Sequence, residues 1–353
     1  MRVDAARFAP VAARLRAAVN AHVTPAAVLE VGSATGPMFQ FATGALTYAV
    51  DALPCTLETV FDLASLTKVL ATASLAMRAV EQDAHWLETR VADLLPEWRG
   101  ADRAPVTIRH LLEHASGLPA HAKLFEVARD RREFLARIVE CPLAVEPGTA
   151  SAYSDLGFIL LGFLLESELG APLDRLFESI ASRLDGPIGF NPAASVASVI
   201  APTESDPWRG RVLQGEVHDE NAAALGGVAG HAGLFGTARA VGSFGQTVLR
   251  TFAQDTWLSR RETIAMFATR STVPGSSRAL GWDTMLPTSS CGTRMSPRAI
   301  GHTGFTGTSL WIDPENDVYV ALLTNRVHPT RAGDGIQALR REMHDAVMAA
   351  LGD

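Results

Sequence analysis

Short apolar, strand-like stretches lie near the two ends of the chain, and a helical period runs between them. Near the N-terminus AAVLEVG (26–32), MFQFATG (38–44) and ALTYAVD (45–51) are separated by glycine breaks and read as an antiparallel meander. Near the C-terminus RAIGHTGF (298–305), TSLWIDP (308–314) and VYVALLTN (318–325) read as three strands, with PEND as the turn between the last two. Helical spacing governs 65–82, 107–115, 132–139, 155–169, 238–252 and 259–268. A sheet drawn from both ends makes everything between them an insertion. The pattern therefore predicts an α+β fold: an antiparallel β-sheet flanked by terminal helices, the last over about 334–351, with an inserted mostly α-helical domain. Residues 1–64 and 270–353 then form the sheet domain and 65–269 the helical domain, with a cleft between them. Residues 183–236, rich in Gly, Pro, Asn and Ser, are expected to form a long loop bordering that cleft.

With 353 residues, 47% of them hydrophobic and 20% charged, the chain can bury a sizeable core. Its formal net charge of −7 gives no general attraction to nucleic acid or anionic lipid, so neither is an expected partner. The densest apolar run, LGFILLGFLL at 156–165, is shorter than the roughly 20 residues a membrane span needs. Arg2, Asp4, Arg7, Arg14 and Arg16 interrupt the first twenty residues, which read as an amphipathic helix rather than a secretory signal; a cytoplasmic location is expected. Cys55, Cys141 and Cys291 are few and widely spaced, as reduced thiols are.

Lys68 and Lys123 are the chain's two lysines, and arginine fills every other basic position. A desolvated lysine can lose its proton and act as a base, which arginine cannot, so a retained lysine points to chemistry. Lys68 lies three residues after Ser65, a spacing that sets both on one helix face. Ser65 lies near the helix start, where the dipole and free amides favour negative charge on an attacking or bound oxygen. The alternative is an N-cap serine followed by a surface lysine. Tyr153, in SAYSDLGF, precedes a strongly apolar helix and can project into the cleft as a phenolic acid or base, or else sit in the core with its hydroxyl satisfied. In GHTGFTG (301–307), Gly304 lets a ligand approach the backbone, and His302 and Thr303 offer polar contacts; a bulged strand is the alternative.

In this order and at these separations, SLTK, SAYSD and GHTG resemble the SxxK, YxN or YxS, and KTG or HTG elements of the serine β-lactamase, penicillin-binding protein and esterase superfamily, particularly its class C branch. The resemblance runs from about residue 25 to residue 330 and includes LLEHASGLP and HTGFTGTSLWIDP. It implies that Ser65 is a nucleophile forming an acyl-enzyme, with Lys68 and Tyr153 shuttling its proton and the immediate base left open between them. It further implies an oxyanion hole made by the amides of Ser65 and Phe305, substrate contacts from Asp155, His302, Thr303 and Gly304, and no metal or cofactor. Desolvation is expected to depress the Lys68 pKa.

Two departures from the family pattern bear on the substrate. Asp155 stands where an asparagine could donate to a substrate carbonyl; ionised, it only accepts. His302 replaces the KTG lysine and is mostly uncharged at neutral pH by its reference pKa. Both favour a serine hydrolase acting on a small carboxylic ester or amide, esterase-like, over a D-Ala-D-Ala carboxypeptidase or a β-lactamase. Two rivals belong to other classes. HLLEH (110–114) has zinc-peptidase spacing, with His110 and His114 as ligands, Glu113 as base and Glu133 or Glu140 as a further carboxylate. The same spacing arises in ordinary amphipathic helices, and His114 is expected rather to hold the SGLP turn near the cleft. A catalytically silent binding protein is the second rival, against which Ser65, Lys68 and Tyr153 together argue. GGVAGHAGLFG (226–236) is expected to edge the cleft rather than cradle a phosphate, His218 and Asp219 to form a loop-stabilising pair rather than hydrogen-bond substrate, and Trp282 and Trp311 to belong to the core rather than line the pocket.

Overall fold

The strand-like stretches from the two ends pair into one antiparallel sheet. The computed structural model describes residues 5–193 and 199–352. Its strands are β1 Ala26–Ser33, β2 Gly36–Gly44, β3 Phe61–Asp62, β4 Ile188–Phe190, β5 Ser205–Asp206, β6 Arg211–Val212, β7 Leu234–Gly236, β8 Asp283–Thr284, β9 Ile300–Thr303, β10 Ser309–Asp313 and β11 Val318–Thr324. The large sheet has the order β2-β1-β11-β10-β9-β8, so the N-terminal hairpin lies against the last strand of the chain. Alternation along β1 and β11 assigns each face its own core. Ala27, Leu29, Val31, Val318, Val320 and Leu322 pack with Val11 and Leu15 of the helix Ala9–Asn20 and with Leu339 and Met343 of the helix Ile336–Leu351. Val28, Tyr319, Ala321 and Leu323 face the other way, onto Val241, Phe244 and Val248 of the helix Ala238–Ala253. Each fully buried Val, Leu or Phe contributes about 1.5–3 kcal/mol, so two-sided burial fixes the register firmly.

The long apolar helix Asp155–Leu169 is buried along most of its length, as an all-round apolar helix must be. Ser154 caps its N-terminus by accepting from the Gly157 amide, and Gly170, at φ +73°, ends it in the left-handed region. This cap brings Tyr153 and Asp155 to the mouth of the cleft. The helices Arg131–Glu140, Ala238–Ala253, Arg261–Phe267 and Ile336–Leu351 lie where helical spacing places them, whereas Leu173–Ala181 is an additional helix.

Several expectations are corrected. ALTYAVD is not a strand: Gly44, at φ +86°, turns the chain, and a Cβ there would lie 2.0 Å from the Pro25 carbonyl oxygen. Only Ala45 keeps a bridge, to Pro54, and Tyr48 and Val50 are exposed. The segment 65–82 is not one α-helix but a 3-10 turn at Ala64–Leu66, a π-helical stretch at Lys68–Ala73 and an α-helix at Ser74–Gln82. The helix expected over 107–115 is only Ile108–Leu112. The 183–236 stretch is not a bare loop, since it carries β4 to β7 and the short helix Glu220–Ala224; its residues 194–198 lie outside the described residues. Trp282 and Trp311 are fully buried, as expected of core residues. Cys55 and Cys291 are buried free thiols, while Cys141 is half-buried. Among the described residues no single helix is long and apolar enough to cross a membrane.

Candidate active site

A second, three-stranded sheet in the order β3-β7-β4 presents Ser65. β3 ends at Asp62, and the turn that follows passes through Ala64 at φ +47°, a conformation uncommon outside glycine and found here next to a candidate nucleophile. The Asp62 carboxylate secures this turn by accepting from the Ala64 amide at 2.8 Å and the His218 amide at 2.7 Å. Gly304, at the end of β9, packs onto the same turn: a Cβ there would lie 2.6 Å from the Leu63 carbonyl oxygen. The close approach anticipated at Gly304 is thus made by the chain's own backbone.

Lys68 is fully buried beneath Ser65. Its Nζ donates to Ser65 Oγ at 2.9 Å, to Asp155 Oδ1 at 2.8 Å and to the His231 carbonyl at 3.1 Å, so all three ammonium protons have acceptors. Burial works against that charge, but the Asp155 carboxylate and Tyr153 outweigh it, and the Lys68 pKa is raised. The depressed value expected from desolvation is therefore corrected: a carboxylate from 87 residues away reverses the direction. Asp155 is held well below the usual carboxylate range; burial opposes this, and Lys68, His121 and His231 overcome it. Asp155 still lines the cavity, but its first partner is Lys68 rather than a substrate.

The Tyr153 ring packs among nitrogen groups, with Lys68 Nζ 4.8 Å from its centroid, the Arg278 guanidinium carbon at 5.0 Å, and the His114 and His302 rings at 4.7 and 5.8 Å. Burial raises the Tyr153 pKa, with Lys68 pulling the other way. His302 is buried, with Nδ1 2.9 Å from the Thr303 carbonyl, to which it must donate. Burial, reinforced by the charges of Arg278 and Lys68, holds its pKa well below the ordinary range, so the ring is neutral.

Ser65, Tyr153, Asp155, His302, Thr303, Gly304 and Phe305 all line one cavity of about 670 Å³, while Lys68 reaches Ser65 from below. Phe305 sits on the β9–β10 turn. Its carbonyl accepts from Arg326 Nε at 2.9 Å, and its ring stacks on His218, 5.7 Å between centroids. The Thr306 hydroxyl donates to the Asp62 carbonyl at 2.7 Å, joining this turn to the one that carries Ser65. His218 and Asp219 do not pair with each other: His218 Nε2 lies 2.9 Å from Glu204, and Asp219 lies 2.8 Å from His231 Nε2. GGVAGHAGLFG does edge the cleft, through Ala232, and it also supplies β7 and the carbonyl that holds Lys68.

Sequence reasoning missed Arg278, His121 and Asp62. Arg278 lines the cavity as a guanidinium whose carboxylate partner among the described residues, Asp283, is 4.0 Å away. One arginine among many carries no signal in a sequence.

The zinc reading of HLLEH is overturned by geometry. His110 lies within the short helix, Glu113 is its C-cap, and His114 lies beyond it at φ +56°. His110 Nδ1 accepts from the Thr107 amide at 3.1 Å, Glu113 accepts from the Ser271 hydroxyl at 2.9 Å, and His114 Nδ1 accepts from the Ser154 amide at 3.0 Å. Among the described residues no three His, Cys, Asp or Glu side chains converge on a metal position.

Residues 41–343 match the family model described as Beta-lactamase. The chain is 34% identical over 308 residues to a putative D-alanyl-D-alanine carboxypeptidase of Escherichia coli K12, covering 77% of this chain and 70% of that one. Among solved structures it is similar to a penicillin-binding protein homolog from Caulobacter crescentus, with a TM-score of 0.77 and 20% identity over 98% of this chain and 97% of that one. It is also similar to the simvastatin synthase of Aspergillus terreus, with a TM-score of 0.76 and 20% identity over 97% of this chain and 98% of that one.

Proposed function

From this chain's membership of the Beta-lactamase family of serine hydrolases, we propose that it cleaves small carboxylic esters or amides through an acyl-enzyme on Ser65. The observation that carries this reading is the 2.9 Å hydrogen bond from Lys68 Nζ to Ser65 Oγ at the floor of the cavity. Ser65 Oγ attacks the carbonyl carbon. With every Lys68 proton committed, Tyr153 is the group left to take the Ser65 proton, and it does so from the state in which the Lys68–Tyr153 pair has already lost one proton. The same oxygen passes that proton to the leaving alcohol or amine as its bond to the acyl carbon breaks. Water then attacks the acyl ester, and the acid departs with Ser65 restored. The amides of Ser65 and Phe305 are the oxyanion donors of this scheme. A fluorophosphonate probe followed by peptide mapping tests the nucleophile. Modification of Ser65, together with loss of p-nitrophenyl acetate hydrolysis in Ser65→Ala, is expected; labelling elsewhere refutes the reading.

Arg278 favours a second, narrower reading, in which the substrate carries a carboxylate beside the scissile bond, as a D-Ala-D-Ala peptide does. Neutral His302 cannot attract such a group, but Arg278 offers a fork of donors whose own carboxylate partner stands 4.0 Å off. On this reading Arg278→Ala raises KM for a D-Ala-D-Ala peptide at least tenfold and leaves p-nitrophenyl acetate hydrolysis within twofold, a hydrogen-bonded ion pair being worth about 1.5–3 kcal/mol. Equal effects on both substrates exclude it and leave the esterase reading.

A further inference from the structure

HLLEH holds no metal, yet its last residue grips the chain on both sides of Tyr153. The His114 carbonyl accepts from the Ala152 amide at 2.8 Å, and His114 Nδ1 accepts from the Ser154 amide at 3.0 Å. Its ring lies 4.7 Å from the Tyr153 ring, at 40° to it, and 4.8 Å from the Phe158 ring. One residue thus accepts from the amides of both neighbours of Tyr153, Ala152 and Ser154, and packs on its side chain.

The bracket is possible only because His114 is left-handed. Helical φ at this position would continue the 108–112 helix and aim its carbonyl onward along that axis; at φ +56° carbonyl and imidazole both face residues 152–154. Neighbouring contacts continue the same alignment, since Glu113 accepts from the Ser151 hydroxyl at 3.1 Å, Pro119 from the Ser154 hydroxyl at 2.7 Å and Ala120 from the Asp155 amide at 2.9 Å. Residues 113–120 are a template along which 151–155 is laid. His114 is the one member of it that reaches the neighbouring segment by side chain and main chain at once. Acceptance at Nδ1 requires that nitrogen to be unprotonated, and burial together with the charges of Arg278 and Lys68 keeps the imidazole neutral.

We propose that His114 is the positioning residue that orients Tyr153 toward Ser65 and Lys68. The proposal rests on the reading in which Tyr153 handles the Ser65 proton. A misplacement of about 1 Å in such a group costs on the order of 100-fold in rate, so an effect on kcat is expected with KM nearly unchanged.

The test compares His114→Gly with His114→Asn, in the parent and in Tyr153→Phe, using p-nitrophenyl acetate turnover and thermal melting. Both replacements tolerate a left-handed backbone, but only asparagine places an acceptor oxygen near the position of Nδ1. Glycine is expected to lower kcat about 100-fold with KM within twofold, and asparagine to recover it to within about tenfold of the parent. In the Tyr153→Phe background glycine is expected to cost less than about threefold more, because two changes acting through one group are not additive. Folded His114→Gly with parental kcat overturns the proposal, as does an equal loss in both backgrounds. Should the glycine variant melt below the assay temperature, the asparagine variant decides: loss of more than 100-fold in a folded protein also overturns it. Parental turnover in Tyr153→Phe overturns the underlying Tyr153 reading instead.

Discussion

Asp155→Asn changes one carboxylate oxygen and is expected to reset the proton affinity of the whole site. Asp155 Oδ1 lies 2.8 Å from Lys68 Nζ, with the lysine side chain fully buried and the aspartate 18% exposed. Removing one partner of such a pair costs about 3–5 kcal/mol, because it leaves a buried charge uncompensated. The remaining ion relieves that cost by shedding its proton. At 1.36 kcal/mol per pKa unit, about 2–4 units are taken from Lys68, and the lower end applies because asparagine can still present an oxygen to Nζ. The readout is the pH dependence of kcat/KM for p-nitrophenyl acetate and of the rate of fluorophosphonate labelling. Both should show an ascending limb, reporting loss of the proton that Lys68 and Tyr153 share, and in Asp155→Asn that limb should move about 2 units toward lower pH. Stability supplies an independent sign. A depressed Asp155 pKa contributes stability above its ordinary 3.8 and loses it as pH falls. A raised Lys68 pKa contributes below its ordinary 10.5 and loses it only as pH climbs through the folded value. The variant should therefore melt earlier than the parent across neutral pH and converge with it in strong acid. An ascending limb within about 0.3 unit of the parent's would show that Asp155 does not control the Lys68 proton, and that the buried ion pair does not set the charge of the site.

Tyr153→Phe is expected to lower kcat by about 100-fold to 10,000-fold, the usual span for loss of a positioned acid–base group, with melting temperature close to the parent's; unchanged kcat removes Tyr153 from the proton path. Asp219 is pulled down to about 2, with burial opposing and His231 prevailing, so it contributes on the order of 2 kcal/mol above about pH 4 that is lost as pH falls toward 2. Asp219→Asn should remove that amount at neutral pH and flatten the acid limb of a denaturation series; a parallel acid limb contradicts it. Gly301→Ala places a Cβ 2.2 Å from a Trp311 ring carbon under the HTG strand, and overpacking of this kind costs about 1–3 kcal/mol by urea denaturation. Parental stability there would mean that the tryptophan has room to move.

The large sheet was readable because β1, β2, β10 and β11 are largely apolar runs of five to nine residues bounded by turn residues, with β1, β10 and β11 buried at every position. The strands that present Ser65 were not. β3 has two residues and β7 three, too few for any period to register, and their pairing joins Phe61 to Gly236 across most of the helical domain. ALTYAVD shows the converse failure: its alternation is genuine, but a left-handed Gly44 turns the chain before the segment can find a partner. Periodicity reports which face is apolar, and pairing is decided elsewhere.

Charge was the least legible property of the site. Ser65, Lys68 and Tyr153 could be named from local motifs, but the state of Lys68 depends on Asp155 and on the carbonyl of His231, 163 residues away. Read as a lone desolvated lysine it should lose its proton, whereas in its actual surroundings it keeps it. Asp155 and His302, the two departures from the family pattern, look like independent losses in the sequence. In the structure each is answered from another segment. The aspartate that cannot donate to a substrate instead balances the buried lysine. The histidine that cannot carry charge shares the Tyr153 ring with Arg278, which does. A cationic group beside the tyrosine therefore lies on the segment before β8, outside the HTG motif. A sequence comparison confined to the three motifs would register a missing lysine and overlook the guanidinium that lines the same cavity.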